Sequence, residues 1–577
     1  MDRPTLARPV WRPLPRRNSR ALAVTAAAAI VVSGMIALFN ATCLDLVVAS
    51  SNEKFQLLAD IAKTYPAPSV DRRCVTVRVI QKPSGLAERA LVHDWAGERL
   101  PRPHVWSPAA TTWLVLLKQQ RNDERRDNIL LSVAPSLMQS PLDIAMPQQM
   151  RNALRTPTGK IGWEDLVTLA RTPEGWARYG KTWGTFKLGK TNPTISTSGL
   201  NALISVNYAA QRTGEPDEFV KALEIKVVHY GDTVATFLSN LRAADDRDKA
   251  LEYVSAIAIE EKQVYDYNIG ISGCDPKCLL PPKEKLVALH PADGTLVADH
   301  PYAVLSWTDP ARQQAASDFE QYLETPAIQR RFQAEGFRDH FGQPGDVLQP
   351  PYFERSGPKI LLGPPDPPDL VEMLSHWSHA LRKPAHALFV VDVGLSMSEP
   401  ISGTSGTKLD LAERAASDAL EGDLTENDAV GLWSFPTTDG SPYRVAASPS
   451  TIATSTSALV RALPPVAKAG DERGFYGVVR ASVEEVRASF ARERINAVLV
   501  LTGGGYALTD RTASDGLVDY LLRQPDDQRV RVYIVAYGPT SNDVLRRIAE
   551  SSGGAFYDAT TEQLNISEQL RNAMSNF

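Results

Sequence analysis

The sequence predicts an α/β protein in which two successive α/β domains follow an amino-terminal membrane helix. Three observations predict this class: an uncharged apolar stretch at 21–39, an alternation of short apolar strands with amphipathic helices over 44–350, and a second such alternation from 387 onwards. The 577 residues are 43% hydrophobic, which is enough apolar material for more than one core. The formal net charge of −5 argues against a nucleic-acid-binding protein, because such proteins concentrate Lys and Arg on one face.

The amino terminus resembles a membrane anchor. Residues 1–20 form a basic tail, and the next segment, 21–39, is uncharged and long enough as a helix to come close to crossing a hydrocarbon core of about 30 Å. The arginines should stay in the cytoplasm, so we expect a single-pass protein of the cell membrane whose remaining residues are extracytoplasmic. A cleaved signal peptide and a lipoprotein anchored at Cys43 are the alternatives. A signal-peptide cleavage site needs a small residue where this sequence has Phe39, and a lipoprotein signal usually has an aliphatic residue where it has Asn40.

The four cysteines fall into two pairs that fit disulfides of an exported protein. Cys43 and Cys74 directly precede the predicted strands 44–49 and 75–80, so parallel pairing of these strands would bring both thiols within reach. Cys274 and Cys278 could close a small loop. Half of a zinc site is the alternative for this second pair, but the sequence has no other Cys or His pair at zinc spacing.

The first domain, 40–355, alternates strands and helices. Strands are predicted at 44–49, 75–80, 104–106, 143–146, 185–188 and 295–298, and amphipathic helices at 53–65 and 217–227. Small hydroxyl residues follow the first three strands, namely Ser50, Ser51, Ser84 and Ser107. At helix amino termini, such residues place backbone and hydroxyl donors around a polar ligand. The alternative is that each serine only caps its own helix.

The segment 185–201 is more specific. It places Asn192 and Pro193 in a turn and opens a helix at Ser196 to Gly199. Together with the segments 229–233 and 253–261, it resembles the two-lobed, type II periplasmic binding proteins that bind solutes for importers. The resemblance implies a two-lobed domain whose ligand contacts fall on Ser50, Ser51, Ser84, Ser107, Asn192, Ser196, Ser198 and Tyr230. The ligand implied is a small solute.

Three basic side chains in the same region would suit an anion, namely Lys187, Lys190 and His229. The alternative is that the lysines are solvated on the surface, because Lys is seldom buried.

A proline-rich linker is expected at 356–383, since the prolines of 356–369 block helix and sheet alike. The second domain, 384–577, follows it. Its predicted strands are 387–393, 428–435, 497–502 and 530–537, and its predicted helices are 407–421, 474–490, 514–523 and 541–551.

An apolar run from Ala387 to Met397 ends on Asp392 and Ser396. With the segments 407–413 and 431–435, this run resembles the von Willebrand factor A (VWFA) domain, which implies a Rossmann-like fold and a surface that binds a protein partner. In that family an Asp, two Ser, a Thr and a second Asp hold Mg²⁺.

Here Gly394, Arg473 and Gly503 stand in place of three of those ligands. The resemblance therefore implies a degenerate metal site at Asp392 and Ser396, unoccupied and without a cofactor. Arg473 would substitute for the metal by pairing with Asp392. A solvent-exposed Arg473, with Asp392 capping a helix, and residual metal binding are the alternatives.

The function expected from the sequence is binding without catalysis. The sequence contains no P-loop, no nucleophile elbow and no zinc-protease motif. The domain pairing resembles membrane-anchored surface proteins of actinobacteria. A binding protein for a small ligand, a protein partner or both is the main hypothesis. The alternatives are an accessory or sensor subunit that recruits an enzyme or ATPase machine, and the substrate-binding component of an importer.

Overall fold

The structure is a computed structural model. It describes residues 43–131, 134–154, 159–271, 280–401, 406–422, 424–437, 441–451, 472–504, 508–538, 542–559 and 566–577. The predicted basic tail, the anchor at 21–39 and the second cysteine pair, Cys274 and Cys278, lie outside these residues. Within these residues, no helix has the length and apolar character needed to cross a bilayer.

The described residues form strands β1–β16 and helices α1–α18. The strands are β1 Leu44–Ser50, β2 Val75–Gln81, β3 Val105–Ser107, β4 Ser140–Pro147, β5 Leu188–Thr191, β6 Val227–Gly231, β7 Ala256–Glu260, β8 Leu286–Leu289, β9 Val297–Ala298, β10 Ala303–Val304, β11 Ala385–Asp392, β12 Ala429–Phe435, β13 Arg444–Thr451, β14 Ile495–Thr502, β15 Arg531–Ala536 and β16 Phe556–Asp558.

The helices are α1 Asn52–Thr64, α2 Ser84–Val92, α3 Thr111–Asp123, α4 Gln148–Ala153, α5 Trp163–Arg171, α6 Thr197–Ala210, α7 Pro216–Glu224, α8 Val234–Asp246, α9 Ala250–Tyr253, α10 Glu261–Asn268, α11 Pro310–Leu323, α12 Pro326–Ala334, α13 Pro367–His376, α14 Lys408–Gly422, α15 Glu472–Ala488, α16 Arg511–Leu522, α17 Asn542–Ser552 and α18 Ile566–Met574.

The first lobe is built on a four-stranded sheet in the order β10-β3-β1-β2. Strand β1 runs parallel to β2 and β3, and β10 is antiparallel to β3. The parallel register places Leu44 opposite Val75, so the residues just before them, Cys43 and Cys74, face each other with a Cα–Cα distance of 4.5 Å and form a disulfide. This confirms the predicted pairing.

The second lobe contains the sheet β6-β5-β7-β4-β8, with β9 paired to β4. Strand β5 runs parallel to β6 and β7, whereas β4 is antiparallel to β7 and β8. The chain enters this lobe at β4 and returns to the first lobe after β9, so two crossings connect the lobes. This α/β architecture agrees with the predicted fold class.

Two predicted elements of the second lobe are shifted in the structure. The strand expected at 185–188 is Leu188–Thr191, and the helix expected at 217–227 ends at Glu224 because β6 begins at Val227. Strand β5 contains Lys190, which forms a buried ion pair with Glu224 of α7. A buried charged residue interrupts the apolar pattern, so the hydrophobic periodicity did not reveal this strand.

The expected proline-rich linker contains a helix. Helix α13 begins at Pro367, and a π-helical turn, Trp377–Leu381, continues it. Proline is tolerated in the first turn of a helix because its missing N–H would have no partner there. Trp377 is buried and its ring lies 5.3 Å from that of Tyr230 in an edge-to-face contact, so the linker packs onto the second lobe.

The carboxy-terminal unit contains the six-stranded sheet β13-β12-β11-β14-β15-β16. All neighbouring strands are parallel except β12 and β13, which are antiparallel at the edge. Alternate residues of β11 enter different cores: Phe389 packs in the cluster that includes Leu570, and Leu388 packs in the cluster that includes Phe475. Helices therefore cover both faces of this sheet, which explains why its central strands read as continuous apolar runs.

Candidate functional site

A small cavity of about 40 Å³ lies between the two lobes. Its wall is formed by the amino ends of helices that follow parallel strands, where backbone N–H groups are not used within the helix. The lining residues are Ser51, Asn52, Glu53, Pro83 and Ser84 of the first lobe, and Ile195, Ser196, Thr197, Ser198, Asp232, Thr233, Val234, Glu260 and Gln263 of the second lobe. The cavity is therefore an interlobe cleft.

Direct contacts across the cleft hold the lobes together. The backbone N–H of Gly85 donates to the carbonyl of Ile195 at 3.0 Å, and the indole of Trp113 donates to the hydroxyl of Thr197 at 2.8 Å. A Cβ atom on Gly85 would lie 2.3 Å from the carbonyl oxygen of Thr194, so only glycine permits this approach. The cleft is thus closed in this structure.

Four of the predicted ligand-binding residues line the cleft: Ser51, Ser84, Ser196 and Ser198. The Ser84 hydroxyl accepts a hydrogen bond from the backbone N–H of Ala109 at 3.1 Å, which fixes the loop after β3. The other two predicted serines of the first lobe, Ser50 and Ser107, are buried but do not line the cavity.

Two other predicted ligand-binding residues contact the carboxy-terminal unit instead of the cavity. The amide of Asn192 donates to the carbonyl of Ser575 at 3.2 Å. The hydroxyl of Tyr230 donates to Glu224 at 2.6 Å, and its backbone N–H donates to the carbonyl of Asn576 at 3.0 Å. In this structure Asn192 and Tyr230 connect the second lobe with the end of the chain.

Lys54 is a buried cation next to the cleft, and its ammonium group is fully engaged. It donates to the hydroxyl of Ser51, to the carbonyl of Ser107 at 2.9 Å and to the carbonyl of Pro108 at 3.0 Å. An ammonium group has three donors, so none remains for a ligand. Burial lowers the pKa of Lys54 to about 8, and the charge of Glu53 opposes this effect.

Two carboxylates of the cleft lie near the same lysine, Glu53 of the first lobe and Glu260 of the second. Burial alone would raise the pKa of Glu53, but the charge of Lys54, the neighbouring His300 at 3.4 Å and a hydrogen bond from Ser51 lower it. Burial, and after it the charge of Glu53, raises the pKa of Glu260 well above its usual value. One lysine thus neutralises Glu53 and leaves Glu260 without a matching cation.

Asp232 provides a third carboxylate, at the start of the loop before α8. Burial raises its pKa to about 6, although hydrogen bonds from Thr236 and Tyr557 oppose the shift. Its Oδ1 atom and the Oε2 atom of Glu260 are buried without a hydrogen-bond partner among the described residues. Glu53, Asp232 and Glu260 were not predicted from the sequence, although each lies at the end of a strand or shortly after it.

A separate buried ion network, outside the lining of the cleft, connects the two lobes. The imidazole of His290 lies 2.6 Å from Asp143, and Arg338 makes a two-pronged contact with Glu261 at 2.8 and 2.9 Å. Burial alone would lower the pKa of His290, but the charge and hydrogen bond of Asp143 raise it to about 9. These opposite charges balance within the protein, which indicates a structural network.

The three side chains predicted to bind an anion, those of Lys187, Lys190 and His229, do not form one site in the structure. Lys190 is used in the buried ion pair with Glu224, and burial lowers the pKa of His229 to about 3. Lys187 lines a different cavity, between the second lobe and the carboxy-terminal unit. The interpretation of Lys190 as a solvated surface lysine is wrong, because the side chain is buried.

At the predicted metal position, protein groups occupy the oxygen atoms of Asp392. Its Oδ1 accepts from the backbone N–H of Gly394 at 2.8 Å, and its Oδ2 accepts from the hydroxyl of Thr502 at 2.9 Å. The Ser396 hydroxyl donates to the carbonyl of Gly504 at 2.8 Å. The side chain of Arg473 lies outside the described residues, so its predicted pairing with Asp392 stays a prediction.

No curated protein matches the sequence. The sulfate-binding protein SubI from Mycobacterium tuberculosis H37Rv is 14% identical, with 58% of this chain and 96% of that chain covered and a TM-score of 0.36. A periplasmic thiamin binding protein is 12% identical, with 58% and 95% covered and a TM-score of 0.39. The periplasmic binding protein AfuA from Actinobacillus pleuropneumoniae is 13% identical, with 58% and 97% covered and a TM-score of 0.38.

The match to a protein family is more direct. Residues 46–338 match the family described as bacterial extracellular solute-binding protein, and they include both lobes and every residue that lines the cleft. This match spans more than half of the 577 residues. The chain therefore belongs to the bacterial extracellular solute-binding protein family.

Proposed function

We propose that this protein binds a positively charged solute, carrying a protonated amine, between its two lobes on the outer side of the membrane. The single observation that carries the proposal is the pair of buried, unpartnered carboxylate oxygens of Glu260 and Asp232 in the wall of the cleft. Family membership supports the binding role, and the charge of the cleft supports the class of solute.

The cleft contains several hydrogen-bond acceptors without a partner and few free hydrogen-bond donors. The Oδ1 atom of Asn52 is a third buried acceptor without a partner in the described part of the chain. The hydroxyl of Ser198 already faces Glu260 at 3.4 Å, and that of Thr197 already accepts from Trp113. A buried polar atom without a partner costs about 1–3 kcal/mol, so a ligand that brings donors gains this energy.

An anionic solute fits this cleft poorly. The ammonium group of Lys54 has no free donor, and the electropositive helix amino termini already carry carboxylates of the protein, Glu53 in the first turn of α1 and Glu260 at the start of α10. An added anion would meet these carboxylates at short range.

A single metal ion also fits poorly. In the described part of the chain, the group of three metal-type ligands within 4.8 Å is Asp143, Glu261 and His290, outside the cleft. Because the cleft carboxylates are not grouped so closely, an organic cation that contacts them through separate atoms is the better match.

Calorimetric titration of the full-length protein with a series of small solutes of similar length and different charge tests the proposal. We expect butylammonium or putrescine to bind, and 1-butanol and butyrate to bind at least tenfold more weakly. Glu260→Gln should weaken amine binding at least tenfold, whereas the exposed Glu335→Gln should leave it unchanged. Tighter binding of butyrate, sulfate or phosphate would contradict the cationic class.

We further propose that 21–39 anchors the protein and that the carboxy-terminal unit is a VWFA-like domain that binds a protein partner. The order of its six strands, with one antiparallel strand at the edge, supports this assignment. Alkaline phosphatase fused after Phe577 should be active if this end is extracytoplasmic. An inactive fusion that is stably expressed would contradict the topology.

The VWFA-like unit is not expected to hold Mg²⁺ in the manner of that family. Asp392 is the only carboxylate of the family's ligand set that remains, and both of its oxygens accept hydrogen bonds from the protein. A Cβ atom on Gly503 would lie 2.5 Å from the sulfur of Met397, so an aspartate there would need a local rearrangement. Titration with Mg²⁺ and Mn²⁺ should show no binding tighter than about 100 μM, or −5.5 kcal/mol.

A sensor role is a second candidate function, and the position of the chain's end favours it. Glu568 of α18 contacts Lys82 of the first lobe, whereas Ser575 and Asn576 contact Asn192 and Tyr230 of the second lobe. A solute that changes the distance between the lobes would therefore change the contacts of α18. If hydrogen exchange in α18 is the same with and without a bound amine, the carboxy-terminal unit does not sense the cleft.

A further inference from the structure

A second cavity, of about 350 Å³, lies between the second lobe and the carboxy-terminal unit. This volume is within the range of small-molecule sites. Seven of its lining residues are basic, and three are acidic. The basic residues are Lys187, Lys226, Lys383, Arg492, Arg494, Arg529 and Arg531, and the acidic residues are Glu252, Asp526 and Asp527.

The acidic residues of the lining form ion pairs with only two of its seven basic residues. Asp527 lies 3.4 Å from Arg492, and Asp526 lies 2.6 Å from Arg529. The Asp527–Arg492 pair is exposed and therefore weak, whereas in the second pair the side chain of Arg529 is only 14% exposed. The other cations of the wall have no carboxylate within ion-pair distance in the described part of the chain.

Arg531 is the most informative of these cations. It begins strand β15, its exposed fraction is 6%, and its Nε–H is buried without a hydrogen-bond partner among the described residues. Burial lowers the pKa of its guanidinium. A buried guanidinium without an anion is costly, and the protein has kept it in the wall of a cavity.

Two lysines next to Arg531 show the same lack of anions. Lys383 donates to the carbonyl of Val227 at 3.0 Å, and Lys187 donates to the carbonyl of Glu252 at 2.5 Å. Burial, followed by the charges of Arg531 and Lys226, lowers the pKa of Lys383 to about 8. Both lysines thus contact backbone dipoles where a full negative charge would be more favourable.

We propose that this cavity is a binding site for a small polyvalent oxyanion, a phosphate-bearing or polycarboxylate molecule, that joins the second lobe to the carboxy-terminal unit. The geometry of Arg suits such groups, because a planar guanidinium can contact two oxygens of a phosphate or carboxylate at once. Lys187 and Lys226 approach the site from the second lobe, and Arg492, Arg529 and Arg531 approach it from the carboxy-terminal unit. A bound oxyanion would therefore stabilise the docking of the two.

This site is independent of the interlobe cleft. Its walls share no residue with those of the cleft, and the charge of the two cavities is opposite in sign. Its occupancy can be tested while the cleft is empty.

Thermal unfolding and calorimetric titration of the full-length protein test the proposal, with inorganic pyrophosphate, citrate and phosphate as probes at constant ionic strength. We expect pyrophosphate or citrate to raise the unfolding temperature and to bind more tightly than phosphate. Arg531→Gln should weaken this binding at least tenfold and should still fold, because it removes an unpaired buried charge. Lys383→Met provides a second variant with the same expected loss.

The exposed Arg523→Gln is the matched control, because its side chain is 82% exposed and lies outside the cavity. It should bind the probes as the natural protein does. If no probe raises the unfolding temperature beyond the effect of NaCl at equal ionic strength, the proposal is wrong. It is equally wrong if binding is unchanged in Arg531→Gln and Lys383→Met.

Discussion

Lys82 of the first lobe and Glu568 of the last helix form an ion pair in which the Nζ and Oε1 atoms lie 3.1 Å apart. The lysine side chain is only 3% exposed and also contacts Glu98 at 2.9 Å. Lys82 directly precedes Pro83 and Ser84, which line the interlobe cleft. Since Ser575 and Asn576 contact the second lobe, this pair links the carboxy-terminal unit to the first-lobe wall of the cleft as well.

Loss of the Lys82–Glu568 pair should make the closed cleft open more often. In Glu568→Gln, we expect faster hydrogen exchange at the backbone N–H of Gly85, which donates across the cleft to Ile195. The cost in stability should be no more than about 1 kcal/mol, because Glu568 is partly exposed.

The matched control is Glu98→Gln, which removes the other carboxylate from Lys82 but stays within the first lobe. It should leave the exchange at Gly85 close to that of the natural protein. Equal acceleration in both variants would show that the pair only shields Lys82 and does not couple the carboxy-terminal unit to the cleft.

The disulfide of Cys43 and Cys74 should contribute strongly to the stability of the first lobe. It closes a loop with a sequence separation of 31, for which loop-closure entropy predicts about 3–4 kcal/mol. In the double variant Cys43→Ala, Cys74→Ala, hydrogen exchange in β1 and β2 should speed up by at least a hundredfold. A loss of less than about 1 kcal/mol in the free energy of unfolding of this lobe, measured in urea, would mean that the unfolded chain is already compact without the disulfide.

Much of the fold could be predicted from the sequence because its parallel strands are buried on both faces. Strand β11 is an uninterrupted apolar run from Ala387 to Val391, and its prediction was off by only a few residues. Strand β5 was misplaced because Lys190 lies within it, and strands β6, β7, β8, β10, β13 and β16 were not predicted. Helix α13 was missed because proline was read only as a helix breaker.

The candidate site was predicted in part. Ser51 and Ser84 were found because hydroxyl residues after strands mark the ligand-facing edge of an α/β sheet, whereas Ser196 and Ser198 were implied by the resemblance to periplasmic binding proteins. Glu260 and Asp232 were not found, because their significance depends on the absence of a neighbouring cation, and Lys54 lies more than 170 residues away from both in sequence. Charge balance in a cleft is a property of the folded chain.

Asp232 should destabilise the unliganded protein at neutral pH. Burial raises its pKa to about 6, so the folded state holds a proton that the unfolded state has released above its pKa near 4. Stability is therefore lost as pH rises from about 4 to 6, and the loss is complete above pH 6. Asp232→Asn should raise the unfolding temperature by about 2 °C or more at pH 7.5 but should change little at pH 4.

The pH comparison separates this effect from a change in packing. An equal gain in unfolding temperature at pH 4 and pH 7.5 would mean that the charge of Asp232 is not responsible. The hydrogen bond of Asp232 with Tyr557 should survive in the asparagine variant, because an amide oxygen can accept it as well.

Binding of an amine in the cleft should release a proton from Glu260. Burial, and after it the charge of Glu53, raises the pKa of Glu260 well above its usual value, so the unliganded fold favours the protonated carboxyl group more strongly than water does. The groups that face it are Glu53, which holds its pKa high, and Lys54, which opposes this effect.

An incoming ammonium group supplies the missing positive charge, so the carboxyl group ionises and its proton leaves to the buffer. Titration with putrescine at pH 6, in two buffers of different ionisation enthalpy, should therefore give apparent binding enthalpies that differ, because the buffer takes up the released protons. In Glu260→Gln, this difference between the buffers should become smaller, and the part that persists comes from Asp232, whose pKa is about 6. Binding that is equally tight at pH 5 and pH 7, with no proton released, would show that Glu260 is already ionised and that another group recognises the solute.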